Sequence, residues 1–101
     1  MALKIVTSSP TTVTTAGTAV EISANITAIR SIVLQADAAN TGIVYVGDSS
    51  VTSSNGIQLK AGDSVSITPD NKDNELVISD LYVNADTNGS IVRVSYETNR
   101  N

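Results

Sequence analysis

Histidine, cysteine, phenylalanine and tryptophan are all missing from this chain of 101 residues, and each absence removes a class of chemistry. Without histidine the commonest general base and the commonest metal ligand are gone, and neither a Ser-His-Asp nor a Cys-His arrangement can form. Without cysteine there is no disulfide and no thiolate zinc site, so zinc would rest on carboxylates alone. Basic residues are few and scattered (Lys4, Arg30, Lys60, Lys72, Arg93, Arg100), and the net charge is -4. Phosphate neutralisation needs a clustered basic patch, so a nucleic-acid partner is not expected. No apolar run approaches the ~20 residues of a membrane helix, and no membrane partner is expected. Met1-Ala2-Leu3-Lys4 lacks a basic region followed by an apolar run, which predicts synthesis and folding in the cytosol.

What remains is aliphatic and hydroxylated. With only three tyrosines as aromatics, the core must come from Val, Ile, Leu and Ala. Ser and Thr are abundant, and β-branched residues suit a pleated, half-buried surface. No window sustains the i, i+3, i+4, i+7 stripe of a helix. A chain of this length buries roughly 60–68% of its unfolded surface, enough for one modest core, so residues 1–101 are expected to form a single domain.

The strand signals are short and regularly spaced. They run at Leu3 to Thr7, Ala19 to Ser23, Ile29 to Ala36, Ile43 to Val46, Ile57 to Leu59, Ser64 to Thr68, Glu75 to Ser79, Leu81 to Ala85 and Ser90 to Glu97. Pro10 ends the first, and residues 8–18, with Thr-rich Thr11 to Thr15, read as an extended arm or an edge strand. Asp86-Thr87-Asn88-Gly89 reads as a hairpin turn, because Asn-Gly supplies the positive φ of a primed turn. Strict alternation in the last strand puts Val92, Val94 and Tyr96 on one face and Ile91, Arg93, Ser95 and Glu97 on the other. About eight short strands separated by turns predict an all-β fold, a sandwich or a barrel, and the resemblance given below selects the single antiparallel β-sandwich.

Two segments, Ile32-Val33-Leu34 and Ile43 to Val46, are apolar on both faces. Either they lie centrally with loops over the second face, or they form a subunit contact.

No constellation of chemical groups stands out. Asp70, Asp73 and Glu75, with Asn71 and Asn74, form an oxygen-rich stretch, but Lys72 takes a ligand position and no glycine follows, so a solvated turn explains it better than calcium. Asp37, Asp48, Asp63, Asp80 and Asp86 each fall in turns, where Asp serves local hydrogen bonding. Gly47, Gly56 and Gly62 lack the strand-to-helix setting of a phosphate loop. No catalytic residue, metal or cofactor is therefore assigned, and the chain reads as a non-enzyme.

Four runs have a familiar pattern. They are Ile43-Val44-Tyr45-Val46-Gly47-Asp48-Ser49-Ser50-Val51, Gly56-Ile57-Gln58-Leu59-Lys60-Ala61-Gly62-Asp63-Ser64, Ile78-Ser79-Asp80-Leu81-Tyr82-Val83-Asn84-Ala85-Asp86 and Val92-Arg93-Val94-Ser95-Tyr96-Glu97. Together they combine a Tyr-Val-Gly strand end, a Gly-x-x-Leu-x-x-Gly-x-Ser corner and a Leu-Tyr-Val-x-Ala strand over the C-terminal two-thirds. This pattern resembles small structural proteins of tailed-phage virions, the capsid decoration (cement) proteins and head fibres. The resemblance implies a jelly-roll-like sandwich, assembly as a homotrimer, and attachment to the major capsid protein on the outside of the shell. It implies production in the host cytoplasm and residence in the virion, and it carries no catalytic residues. The candidate contact residues are Thr11, Thr12, Val13, Thr14 and Thr15, then Ser49, Ser50, Val51 and Thr52, with Ile43 and Tyr45. The alternative is a tail- or fibre-associated module that recognises host-surface glycans, which would present Tyr45 or Tyr82 in a groove.

Overall fold

The structure, a computed structural model, describes residues 3–7, 10–22, 28–29, 31–68, 76–77 and 80–99. The strands are β1 (Leu3–Thr7), β2 (Thr11–Val13), β3 (Val20–Glu21), β4 (Ala28–Ile29), β5 (Ser31–Ala36), β6 (Val44–Gly47), β7 (Ile57–Leu59), β8 (Ser64–Ile67), β9 (Leu76–Val77), β10 (Tyr82–Ala85) and β11 (Ser90–Asn99). Among the described residues there is no α-helix, and none long and apolar enough to cross a membrane.

Pairing is antiparallel throughout and nests around one point. β6 pairs β7, β5 pairs β8, β4 pairs β9, β3 pairs β10, and β1 and β2 lie end to end along β11. The chain is thus one long hairpin whose tip is the loop between β6 and β7. Rolling that hairpin up brings β11 against β5 and β10 against β6. The result is one sheet of order β1-β11-β5-β8, with β2 also on β11, and a second of order β3-β10-β6-β7. This connectivity is the jelly roll, with β4 and β9 as an added ribbon between the sheets' strand pairs.

The side-chain period of two decides what is buried. The first sheet turns Val13, Ile32, Leu34, Ala36, Val92 and Val94 inward. The second answers with Val44, Val46, Leu59, Val83 and Ala85. Among the described residues the buried cluster is aliphatic, with half-buried Tyr96 packed against it, and each buried Val, Leu or Ile contributes about 1.5–3 kcal/mol.

Three expectations are refined. The Ile32-Val33-Leu34 segment is not buried on both sides: Ile32 and Leu34 are fully enclosed, whereas Val33 is 41% exposed. Val33 stands between Ser66 and Ser95 on the outer face of the first sheet, in a row of small polar neighbours. The β6 segment is buried on both sides, since Tyr45, opposite in direction to Val44 and Val46, is only 5% exposed. The Asn88-Gly89 turn does have positive φ at Gly89 (79°), but it makes no hairpin. β10 and β11 belong to different sheets, so this turn is a corner across the sandwich. Gly89 donates its N–H to Val13 O and Asn88 Oδ1 accepts from Ala16 N–H, which tie the corner to the chain after β2 and not to a hairpin partner.

Candidate docking surface

The sequence-derived contact residues divide sharply by exposure. In the first group Thr12, Thr14 and Thr15 are exposed, while Thr11 and Val13 are buried. Thr11 donates its hydroxyl to Ile22 O at 3.3 Å, and Val13 is part of the core. Thr11–Val13 is therefore a strand on β11 and not an arm free to reach a neighbour. In the second group Ser49, Ser50 and Thr52 are exposed and Val51 is buried. Ile43 is half-buried, and its backbone is clamped to Asp86 through both N–H and C=O. Asp70, Asp73 and Glu75 lie outside the described residues.

What brings the two groups together is a residue that sequence reasoning passed over. Asn84 sits in β10 beside Tyr45 of β6, on the outer face of the second sheet, and is 1% exposed. Its Nδ2 donates to Val51 O at 3.0 Å, in the loop after β6. Its Oδ1 accepts from Gly17 N–H at 3.1 Å, in the loop after β2. One amide thus anchors both loops over the same face. The available signal was an asparagine inside the otherwise apolar run Tyr82-Val83-Asn84-Ala85, since a polar side chain in such a strand needs partners.

Inside the β6–β7 loop the order is local and dense. Asp48 Oδ1 accepts from both the N–H and the hydroxyl of Ser50, at 2.9 and 2.7 Å. These bonds, the hydroxyl first, hold the Asp48 carboxyl below its ordinary pKa. Asn55 Oδ1 accepts from Thr52 N–H at 2.8 Å, and Thr52 Oγ1 accepts from Ser54 N–H at 3.1 Å. Val51 packs its methyl against Gly47 and Gly56, plugging the loop onto the sheet end. The exposed rim is Ser49, Ser50, Thr52, Ser53, Ser54 and Asn55, neutral hydrogen-bonding groups beside the exposed carboxylate of Asp48. Such a surface can dock on a complementary polar face, with Asp48 as the one charge of this loop.

A depression of about 240 Å³ lies between the β5–β6 and β10–β11 connections, lined by Asp37, Asn40, Thr41, Thr87, Asn88 and Ser90 among others. Several of its polar groups are already engaged. Asp37 Oδ1 meets Arg93 Nε at 2.9 Å, and that bond keeps the Asp37 carboxyl below its ordinary pKa. Asn40 is committed to the backbone of Ile91, and Ser90 donates its hydroxyl to Thr87 O. Among the described residues no three acidic groups converge to hold a metal. The ring of Tyr45 is enclosed and Tyr82 is half-buried, so Tyr45 offers no face to a sugar. No protein-family model, no curated protein and no solved structure matches this chain.

Proposed function

We propose that this chain is a non-enzymatic structural protein that docks on the outer surface of a tailed-phage capsid and stabilises the shell. The reading rests on the resemblance of the four sequence runs, and the jelly roll is an architecture that viral capsid proteins use widely. The observation that carries it is the pair of loops pinned to one face by Asn84. Loops already ordered in the free protein lose little conformational entropy on docking, so a modest polar contact suffices for binding.

Stabilisation then follows from mass action. A protein that binds the assembled shell and not its free subunits shifts the equilibrium away from disassembly. Docking sites repeated over a symmetric lattice, combined with self-association of the chain, add avidity to each weak contact. The partner is the major capsid protein, and the contact residues are those of the two loops: Thr14, Thr15, Ser49, Ser50 and Thr52.

Co-sedimentation of the purified chain with mature phage heads tests this. Saturable binding, weakened by Ser50→Arg or Thr52→Arg, is the expected result, together with a raised temperature of head disruption. No binding to heads overturns the proposal. Binding to a glycan array in place of heads replaces it with the tail- or fibre-module reading.

A further inference from the structure

The chain contains two Asn-Gly steps, Asn55-Gly56 and Asn88-Gly89, and all four residues are exposed. Such steps are the asparagines most open to spontaneous deamidation, because glycine has no Cβ to shield its backbone nitrogen from the preceding side-chain carbonyl. Exposure does not separate the two steps. The hydrogen bonding of the reacting groups does.

At Asn88-Gly89 both groups are committed to distant chain. Gly89 N–H donates to Val13 O at 2.8 Å, and Val13 is fully buried in the core. Asn88 Oδ1 accepts from Ala16 N–H at 2.7 Å, across 72 positions of sequence. Freeing the nitrogen and the carboxamide therefore means lifting this corner off β2 and the loop after it.

At Asn55-Gly56 the constraints are local. The β6–β7 ladder ends at the Val46–Ile57 pair, and among the described residues Gly56 N–H donates to no acceptor. The Asn55 carboxamide is held from within its own loop, where Oδ1 accepts from Thr52 N–H at 2.8 Å. A bond of this kind, between exposed residues three positions apart, opens by local fluctuation without disturbing a sheet. While it is made, it draws electron density from Asn55 Cγ, the carbon to be attacked.

We infer that Asn55 is a site of spontaneous modification, converting through a cyclic imide to aspartate and isoaspartate, while the fold protects Asn88. Gly56 N gives up its proton and bonds to Asn55 Cγ. The Cγ–Nδ2 bond then breaks, and Nδ2 leaves as ammonia, taking up one proton. Water adds to either imide carbonyl and breaks that carbon's bond to Gly56 N, which regains a proton. Opening at Cγ leaves aspartate, and opening at the main-chain carbon leaves isoaspartate, whose extra methylene lengthens the backbone. Water is the only co-reactant. Either product adds a second carboxylate to the loop that carries Asp48. The site lies in the proposed docking loop, yet its chemistry does not depend on docking.

Incubation of the full chain at mildly alkaline pH, followed by mass-spectrometric peptide mapping and enzymatic labelling of isoaspartate, is the test. In the folded chain Asn55 is expected to convert about tenfold or more faster than Asn88, reflecting the buried-side backbone bond that Gly89 must first break. In urea the two steps should convert at similar rates, since the same pair of residues reacts in each. Asn55→Gln, whose longer side chain disfavours the ring, should remove the acidic product formed by the folded chain. Conversion of Asn88 as fast as Asn55 in the folded chain overturns the inference, as does an Asn55 that stays intact there. An Asn88 equally inert in urea overturns protection by the fold.

Discussion

The side chain of Asn40 acts as a missing strand for Ile91. Its Nδ2 donates to Ile91 O and its Oδ1 accepts from Ile91 N–H, both at 2.9 Å. Ile91 lies just beyond the point where β5 stops pairing with β11, so the amide continues the ladder after Ala36 has left it. Asp37 N–H adds a bond to the same carbonyl.

Asn40→Asp keeps the acceptor, removes the donor and sets a carboxylate against a carbonyl. Losing one partner of a half-buried backbone pair costs about 1–3 kcal/mol. For a domain of this size that lowers the melting temperature by several degrees, at roughly 4–8 °C per kcal/mol. Thermal and urea unfolding of Asn40→Asp and Asn40→Ala check it, and wild-type stability in both variants would contradict the ladder role.

Gly56 and Gly62 form a matched pair for separating backbone strain from crowding. Both have φ of +87°, so an alanine at either position costs about 1–2 kcal/mol for the left-handed conformation. A Cβ at Gly62 meets open space, whereas one at Gly56 falls 2.8 Å from Val46 O and 2.7 Å from the Val51 methyl. Gly56→Ala is therefore expected to destabilise clearly more than Gly62→Ala, by displacing Val51 from the sheet end. Equal effects in urea denaturation would show that Val51 yields freely.

How much of this was legible in the sequence depends on the range of the interaction. The alternation of Val92, Val94 and Tyr96 against Arg93, Ser95 and Glu97 is local, and β11 follows it. The Asn88-Gly89 turn was legible as a turn, yet not as a corner, because pairing partners are chosen by the rolled-up core and not by the turn. Val33 reads like its neighbours Ile32 and Leu34, and its place on the outer face, opposite in direction to both and flanked across the strands by two serines, leaves it in solvent. The docking surface was legible as two separate polar segments. Their union depends on Asn84, which reaches 33 residues to Val51 and 67 to Gly17, and no local pattern encodes such reach.

Asn84 accordingly makes a prediction that separates loop order from fold. Asn84→Ala leaves Val51 O and Gly17 N–H without this partner, although Gly17 N–H retains Ala85 O. The expected outcome is a loss of about 1–3 kcal/mol and faster amide exchange in residues 48–56, while the aliphatic core keeps its protection. Head binding should fall more steeply in Asn84→Ala than in the equally destabilised Asn40→Ala, since only the former frees a docking loop. Parallel losses in the two variants would mean that binding follows global stability alone.

The acid side of the stability curve has a defined sign. Asp37 is held down chiefly by its bond from Arg93, and Asp48 chiefly by the hydroxyl of Ser50, each below the ordinary value of 3.8. A carboxyl that titrates lower when folded than when unfolded lends stability above its unfolded pKa, and loses it as pH falls through the folded value. Both contributions are therefore intact at neutral pH and disappear as pH drops below 3.8. With no histidine in the chain, stability should be flat from pH 6 to 8, where only that side chain ordinarily titrates. In Asp37→Asn and Asp48→Asn the decline below that pH should be shallower than in the wild type, because each variant has one fewer proton to take up on unfolding. Unfolding curves between about pH 2 and pH 8 read this directly, and a decline equally steep in the variants would assign acid sensitivity to other carboxylates.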